Sequence, residues 1–150
     1  MLLWNLVLGM LTMVVCLLLQ LTWLILALRY YQQNYYRLES TLARHSIILM
    51  SIVLLILVTG ILGQIAAWAL MFVWVQEFSR FSTAFYHSAV NFGSLGYGDI
   101  VMSERYRLLG ALEAINGVLM IGVATAALMT VFKDALQKSN AHRGGGTPPV

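Results

Sequence analysis

The sequence predicts an all-α membrane protein with three transmembrane helices and one shorter helix that enters the membrane without crossing it. Of its 150 residues, 60% are hydrophobic and 10% are charged, against about 45–50% and about 25% in soluble domains. So few charges could not cover the surface of a soluble fold. Three apolar runs, each of at least 25 residues, are long enough to cross a bilayer as helices: Leu2–Leu28, Ile47–Val75 and Leu108–Phe132.

The positions of lysine and arginine predict how these helices are oriented. Six basic residues follow the first and third runs, in a linker and a tail: Arg29, Arg37, Arg44, Lys133, Lys138 and Arg143. Three lie on the opposite side: Arg80, Arg105 and Arg107. Cytoplasmic loops carry the excess of basic residues. We therefore expect a multi-pass protein of the cell (plasma) membrane with its N-terminus outside and its C-terminus cytoplasmic.

The same pattern divides the chain into three parts. Residues 1–46 hold the first helix and a cytoplasmic linker, and we expect this helix on the periphery, packed against the second. Residues 47–132 hold the second and third helices and the segment between them. Residues 133–150 form a short tail, predicted to be disordered because its glycine- and proline-rich end cannot bury a core.

Several functional classes are disfavoured by the composition. No acid–base pair, nucleophile triad or phosphate-binding loop is present, so we expect no enzyme. A single cysteine, Cys16, excludes an internal disulfide framework and a cysteine-based zinc site. The net charge of +3 is scattered and gives no nucleic-acid footprint. We expect no cofactor and no nucleic-acid partner, and lipids as the immediate surroundings.

The segment between the second and third runs carries the functional signal. Residues Phe81–Phe92 are apolar and aromatic, and as a helix they would measure about 18–20 Å, too short to span. Glycine-rich backbone follows at Ser94–Asp99. Non-helical backbone at membrane depth is tolerated only where it is buried in protein or lines water. The segment therefore predicts a re-entrant loop beside a pathway.

Such a loop can bind a cation through its backbone. Consecutive carbonyl oxygens aimed at one axis can replace the hydration shell of an ion without fixed charge. Aiming them the same way requires positive φ, which favours glycine at Gly96 and Gly98. The side chains of Leu95 and Tyr97 would then point away from the axis. The carboxyl end of the preceding helix, with about half a negative charge, also favours a cation.

The stretch Ser-Leu-Gly-Tyr-Gly-Asp at Ser94–Asp99 resembles the potassium-channel signature Thr-Val-Gly-Tyr-Gly-Asp. The third run, with Gly117 and Gly122 five residues apart, is similar to the inner helix of two-helix bacterial potassium channels. The resemblance covers 47–132 and leaves the first helix as an addition. It implies a homotetramer whose ion-binding filter consists of Ser94, Leu95, Gly96, Tyr97 and Gly98. The carbonyls of the first four, with the Ser94 hydroxyl, would hold K+. Asp99 would form a ring of carboxylates at the outer mouth.

The resemblance also assigns residues that support this filter. Tyr86 and His87 stand where relatives have two tryptophans, so we predict hydrogen bonds from Tyr86 to Asp99 and from His87 to the Tyr97 hydroxyl. Gly93 replaces a threonine and Leu95 replaces a valine. These departures leave a weakly selective monovalent cation channel as one alternative. The membrane subunit of a potassium-uptake transporter is another, although such proteins carry four filters in one long chain.

The third run has two faces. Val118, Ile121, Thr125 and Met129 share one face by their helical spacing, and the resemblance makes that face the cavity wall. Glu113 lies about 140° away from it. With Asn116 it should face either the short helix or a neighbouring subunit, behind the filter. An ionisable group in a spanning helix is costly and indicates a function.

Two residues of this run keep two interpretations each. Glu113 is either a hydrogen-bonded strut, with Asn91, Ser88 or Ser94 as partner, or a proton-sensitive latch. Gly117 is either a site of close helix packing or, as the resemblance suggests, a gating hinge.

Overall fold

Four helices make up the described part of the chain, in which no strand occurs. The computed structural model describes residues 2–35 and 42–144, with side chains over 2–34 and 47–137. The helices, in chain order, are α1 (Leu2–Tyr35), α2 (Leu42–Trp74), α3 (Phe81–Phe92) and α4 (Arg107–Gly144). The predicted all-α class is confirmed.

Three of these helices are long and apolar enough to cross a membrane. The spans are Leu2–Asn34, Ile47–Trp74 and Arg107–Gln137. Each contains the core of one apolar run of the sequence, so the three predicted spans are confirmed. The remaining helix, α3, has the bounds predicted for the short re-entrant helix.

The end of α4 differs from the prediction. The sequence predicts disorder after residue 132, whereas α4 continues to Gly144. Residues 133–142 include Lys133, Ala135, Leu136 and Gln137, all good helix formers, and extending an existing helix costs far less than starting one. Residues 145–150 lie outside the described part of the chain.

The first helix packs against two partners, not one. The expected contact with α2 is present: Gln64 Nε2 donates to Gln20 Oε1 at 2.5 Å, and the Trp23 side chain covers Gly60. In addition α1 contacts α4 along its length. This second contact is not predicted from the sequence, because the apolar runs show that the helices span the membrane but not which helices are neighbours.

The short helix α3 is wedged between α2 and α4. Ala84, Ser88 and Phe92, spaced four residues apart, form its buried face. This face belongs to a core cluster that includes Trp68, Phe72 and Leu109, all fully buried. A second cluster, around Leu57 and Val131, lies toward the other end of the bundle. We call the end with the first cluster the filter end, after the predicted filter in the loop after α3, and the other the tail end. The filter end has a packed core beneath that loop.

Candidate functional site: the loop after α3 and its support

The loop begins with a tight helix end. Ser94 N donates to Asn91 O at 2.8 Å, and Leu95 N donates to Val90 O at 2.9 Å. Ser94 lies in the left-handed region with φ +55°. These are the features of a Schellman motif, in which a left-handed residue after the helix lets two backbone N–H groups cap its last carbonyls. Glycine usually occupies this place, so the serine costs some backbone strain.

The backbone that follows has the alternation that the sequence predicts. Gly96 has φ +57° and Gly98 has φ +74°. A side chain other than hydrogen is disfavoured at such angles. Every residue from 93 to 99 is exposed in the single chain. Leu95 and Tyr97 are 59% and 67% exposed, so the chain itself does not bury the loop.

The predicted bond between Tyr86 and Asp99 is present. Tyr86 Oη donates to Asp99 Oδ2 at 2.7 Å, and Ile100 N donates to Asp99 Oδ1 at 3.0 Å. The Tyr86 hydroxyl holds the pKa of Asp99 below its usual value, and the same bond raises the pKa of Tyr86. Asp99 is therefore an ionised carboxylate at neutral pH, tied to α3 at the end of the loop.

The predicted bond from His87 to the Tyr97 hydroxyl is wrong for the single chain. His87 Nδ1 lies 3.2 Å from Ile100 O, and because a carbonyl only accepts, Nδ1 carries the proton. Nε2 is buried and has no hydrogen-bond partner among the described residues. The ring lies 5.0 Å from that of Phe78 and 5.8 Å from that of Phe72. His87 therefore packs against Phe72 of α2 and Phe78 of the following turn, and its hydrogen bond goes to Ile100.

A second carboxylate fixes the segment after the loop. Glu77, in the turn between α2 and α3, accepts from Ser103 N and from Ser103 Oγ, the latter at 2.7 Å. The chain is therefore held at two points where it leaves the loop, Asp99 and Ser103. Glu77 has no predicted role, since nothing in the spacing pairs residues 26 positions apart.

Behind the loop, α3 and α4 are joined by polar side chains. Asn91 Nδ2 donates to Gly110 O at 2.6 Å and to Glu113 Oε2 at 2.9 Å. Glu113 and Asn116 are both 0% exposed within one chain, and Glu113 faces α3 through Asn91. The strut interpretation of Glu113 thus has its partner in Asn91. Whether Glu113 is also a proton-sensitive latch stays a prediction.

This polar layer extends to the other two helices. Ser88 lies beside the Glu113 carboxyl, and Cys16 of α1 lies beside the Asn116 amide and the Trp68 indole. Several buried atoms here have no hydrogen-bond partner among the described residues: Trp68 Nε1, Ser88 Oγ, Glu113 Oε1 and both amide atoms of Asn116. Buried polar groups are normally paired, which marks this layer as unusual for a structural core.

One step along α4, Gly117 meets the backbone of α3. A Cβ at this position would clash with the carbonyl oxygen of Phe92 and lie 2.7 Å from its carbon. At Gly122, by contrast, a Cβ would meet nothing within 4 Å. Of the two interpretations of Gly117, close helix packing is supported by this contact with Phe92. The gating hinge stays a prediction.

Comparison with known families decides the general class. The family described as ion channel matches residues 54–134, more than half of the chain. The chain belongs to this ion channel family. No curated protein and no solved structure matches it. The matched range contains α3, the loop and most of α4, and it leaves α1 outside.

The channel's predicted cavity face is exposed in the single chain. Val118, Ile121 and Met129 are 59%, 38% and 53% exposed, and Thr125 is exposed as well. The Thr125 hydroxyl donates back to Ile121 O, so it stays on the same side of the helix. Among the described residues, no three His, Cys, Asp or Glu side chains come together as a metal site.

Two kinds of residue escaped the sequence analysis. The first kind is the amides that interrupt the apolar runs. Gln20 and Gln64 bond α1 to α2, and Asn5 bonds α1 to the turn before α4. Polar side chains in spanning helices commonly form such bonds, so their presence indicates an interhelical contact but not its partner. The second kind is Trp68, which is fully buried. Nothing in its sequence neighbourhood distinguishes a buried tryptophan from one that anchors a helix at the membrane interface.

Proposed function

We propose that this ion channel is selective for K+ and conducts it passively through a filter built from the backbone of Ser94–Asp99. One observation carries the proposal. Two glycines in the left-handed region, Gly96 and Gly98, alternate with Leu95 and Tyr97 directly after a helix that is too short to span. That alternation suits successive carbonyls aimed at a common axis, the arrangement that replaces the hydration shell of K+.

The electrostatics of the loop favour a cation. The C-terminal end of α3 leads directly into Ser94, and helix C-termini carry about half a negative charge. Asp99, ionised at the other end of the loop, adds a carboxylate that raises the local cation concentration. Ion sites at the carbonyls of Ser94, Leu95, Gly96 and Tyr97 would lie between these two negative ends, with the Ser94 hydroxyl at the innermost site.

A complete pathway requires more than one copy of the chain. A single loop cannot surround an ion, and identical subunits close into rings. The exposed loop and the exposed face of α4 around Val118 and Met129 are the surfaces that such a ring would bring together. We propose a homotetramer in the cell membrane, with the filter end outside and the tail end cytoplasmic.

Ion flux from purified protein in liposomes tests this proposal. We expect K+ flux that barium blocks and no comparable Na+ flux. Gly96→Ala, which adds a side chain at φ +57°, should abolish the flux. Gly122→Ala, where a Cβ meets nothing, is the matched glycine control and should conduct. Equal flux in the Gly96→Ala variant would contradict a backbone-built filter.

A weakly selective cation channel is the second candidate, and the His87 geometry favours it. With no bond from His87 to Tyr97 inside the chain, the loop has one of its two predicted braces. Fewer braces allow the carbonyl ring to widen and accept other ions. Reversal potentials in mixed K+ and Na+ separate the two candidates, since a selective pore follows the K+ gradient and a weakly selective one stays near zero.

A further inference from the structure

The first helix lies outside the matched range, yet it is bonded at one end to the turn that leads into α4 and at the other end to α4 itself. At the filter end, Asn5 Nδ2 donates to the carbonyl oxygen of Arg105 at 2.6 Å. At the tail end, Tyr31 Oη donates to Asp134 Oδ2 at 2.8 Å. The family match ends at residue 134 and begins at 54, so family membership says nothing about this attachment.

Between these bonds α1 and α4 run side by side in the same direction. The partners advance together along both helices: Gly9 of α1 faces the Leu112 side chain, and Cys16 lies beside Asn116. From Asn5 to Tyr31 the contact covers 26 residues, about 39 Å of helix. A helix in contact along this length follows or resists any tilt of α4.

The bond at the tail end has the properties of a strong contact. A phenol donating to a carboxylate is a charge-assisted hydrogen bond, roughly twice as strong as a neutral one. The Tyr31 side chain is 5% exposed, so water competes little for its hydroxyl. Asp134 lies five residues after Met129, just beyond the end of the exposed face of α4. The bond therefore fixes the part of α4 where a displacement would change the width of the pathway.

We propose that α1 is a built-in clamp on α4, and that the Tyr31–Asp134 hydrogen bond sets the balance between the open and closed states of the channel. A contact made in one state and lost in the other shifts their equilibrium by the free energy of that contact. The proposal rests on the chain being an ion channel and not on which ion it selects.

Single-channel recording of the full-length protein in planar bilayers tests the clamp. Tyr31→Phe removes the donor with little change in shape, and we expect the open-to-closed ratio to change by about tenfold or more. Asp134→Ala should move the ratio in the same direction. Because either substitution already removes the hydrogen bond, the double variant should change the ratio by less than the sum of the two single effects. An additive double variant would overturn the proposal.

Tyr30→Phe is the matched control. Tyr30 is adjacent to Tyr31, and its substitution removes the same hydroxyl group. This hydroxyl makes no hydrogen bond among the described residues. Its open-to-closed ratio should stay unchanged. The proposal would be contradicted by an unchanged open-to-closed ratio in Tyr31→Phe. It would also be contradicted if Tyr30→Phe changed the ratio as much as Tyr31→Phe does.

Hydrogen exchange provides a readout that does not need current. In Tyr31→Phe, the amides of α4 from about 126 to 137 should exchange faster, while those near Gly117 keep the native rate. Unchanged exchange at the tail end would contradict the clamp even if the variant does not conduct. A pore that conducts Na+ as well as K+ would refute the proposed selectivity and leave this test intact.

Discussion

The two sides of the loop after α3 differ in how much of their surroundings one chain supplies. Behind the loop, Asn91, Glu113, Asn116 and Gly117 are packed between α3 and α4, with Glu113 and Asn116 0% exposed. In front, the loop residues and the face of α4 around Val118 are exposed. One chain supplies all the packing contacts described behind the loop. In front of the loop it supplies the backbone conformation and leaves the side chains exposed. Substitutions behind the loop should therefore act on folding, and those in front on conduction and assembly.

The largest effect is expected at Gly117. Gly117→Ala places a methyl group against the carbonyl of Phe92. Because the atoms it meets belong to the backbone of α3, no rotamer change can relieve the contact. Overpacking costs about 1–3 kcal/mol, and we expect the upper end. The thermal unfolding midpoint of the purified protein measures the loss. Gly122→Ala has open space and should unfold like the parent, so equal midpoints for the two variants would contradict the packing role.

Glu113 should show the next largest effect. Glu113→Leu removes one of the two acceptors of Asn91 Nδ2. One N–H of that amide still donates to Gly110 O, and the other is left buried without a partner, a cost of about 1–3 kcal/mol. Glu113→Gln keeps an acceptor oxygen and should recover most of the loss. Thermal unfolding of both variants separates a hydrogen-bonded strut from mere volume. A leucine variant as stable as the parent would show that the bond contributes nothing.

These two residues also show how far sequence reasoning reaches. The helical angle between Glu113 and Val118 correctly placed them on opposite faces, because helix geometry is local and regular. The choice between packing and hinge at Gly117 needed the position of Phe92, 25 residues earlier, which only the fold supplies. The bounds of α3 were predictable because its length and the following glycines are written in consecutive residues.

The misplaced contact of His87 has the same cause. The resemblance assigned it the role of a tryptophan, but an imidazole is smaller and can donate from Nδ1, so it reaches Ile100 O and packs on Phe78. The bonds of α1 to α4 connect residues about 100 positions apart. No periodicity in the sequence pairs such residues, so the amides and Tyr31 could be noted but not matched.

His87 should give a smaller, pH-dependent effect. Burial lowers the pKa of His87 below its usual 6.5, so the folded protein disfavours the charged ring. The stabilisation by the neutral ring is complete above pH 6.5 and declines as the pH falls through 6.5 toward the lower folded pKa, because the unfolded chain binds the proton first. Unfolding midpoints recorded from pH 8 to pH 5 should fall more in the parent than in His87→Phe. Parallel profiles would contradict this.

The smallest expected effect lies in front of the loop, at Tyr86. Tyr86→Phe removes the hydrogen bond that holds the pKa of Asp99 below its usual value, so that pKa should rise toward 3.8. At neutral pH Asp99 remains ionised in both proteins, and the conductance should be the same. As the outer solution is acidified, the variant should lose conductance at a higher pH than the parent, since its carboxylate is neutralised first. Tyr106→Phe, a phenol in the segment after the loop, should follow the parent. A variant that keeps the parent's acid profile would show that the Tyr86 hydroxyl does not control Asp99, and that the front of the site is organised by contacts between chains alone.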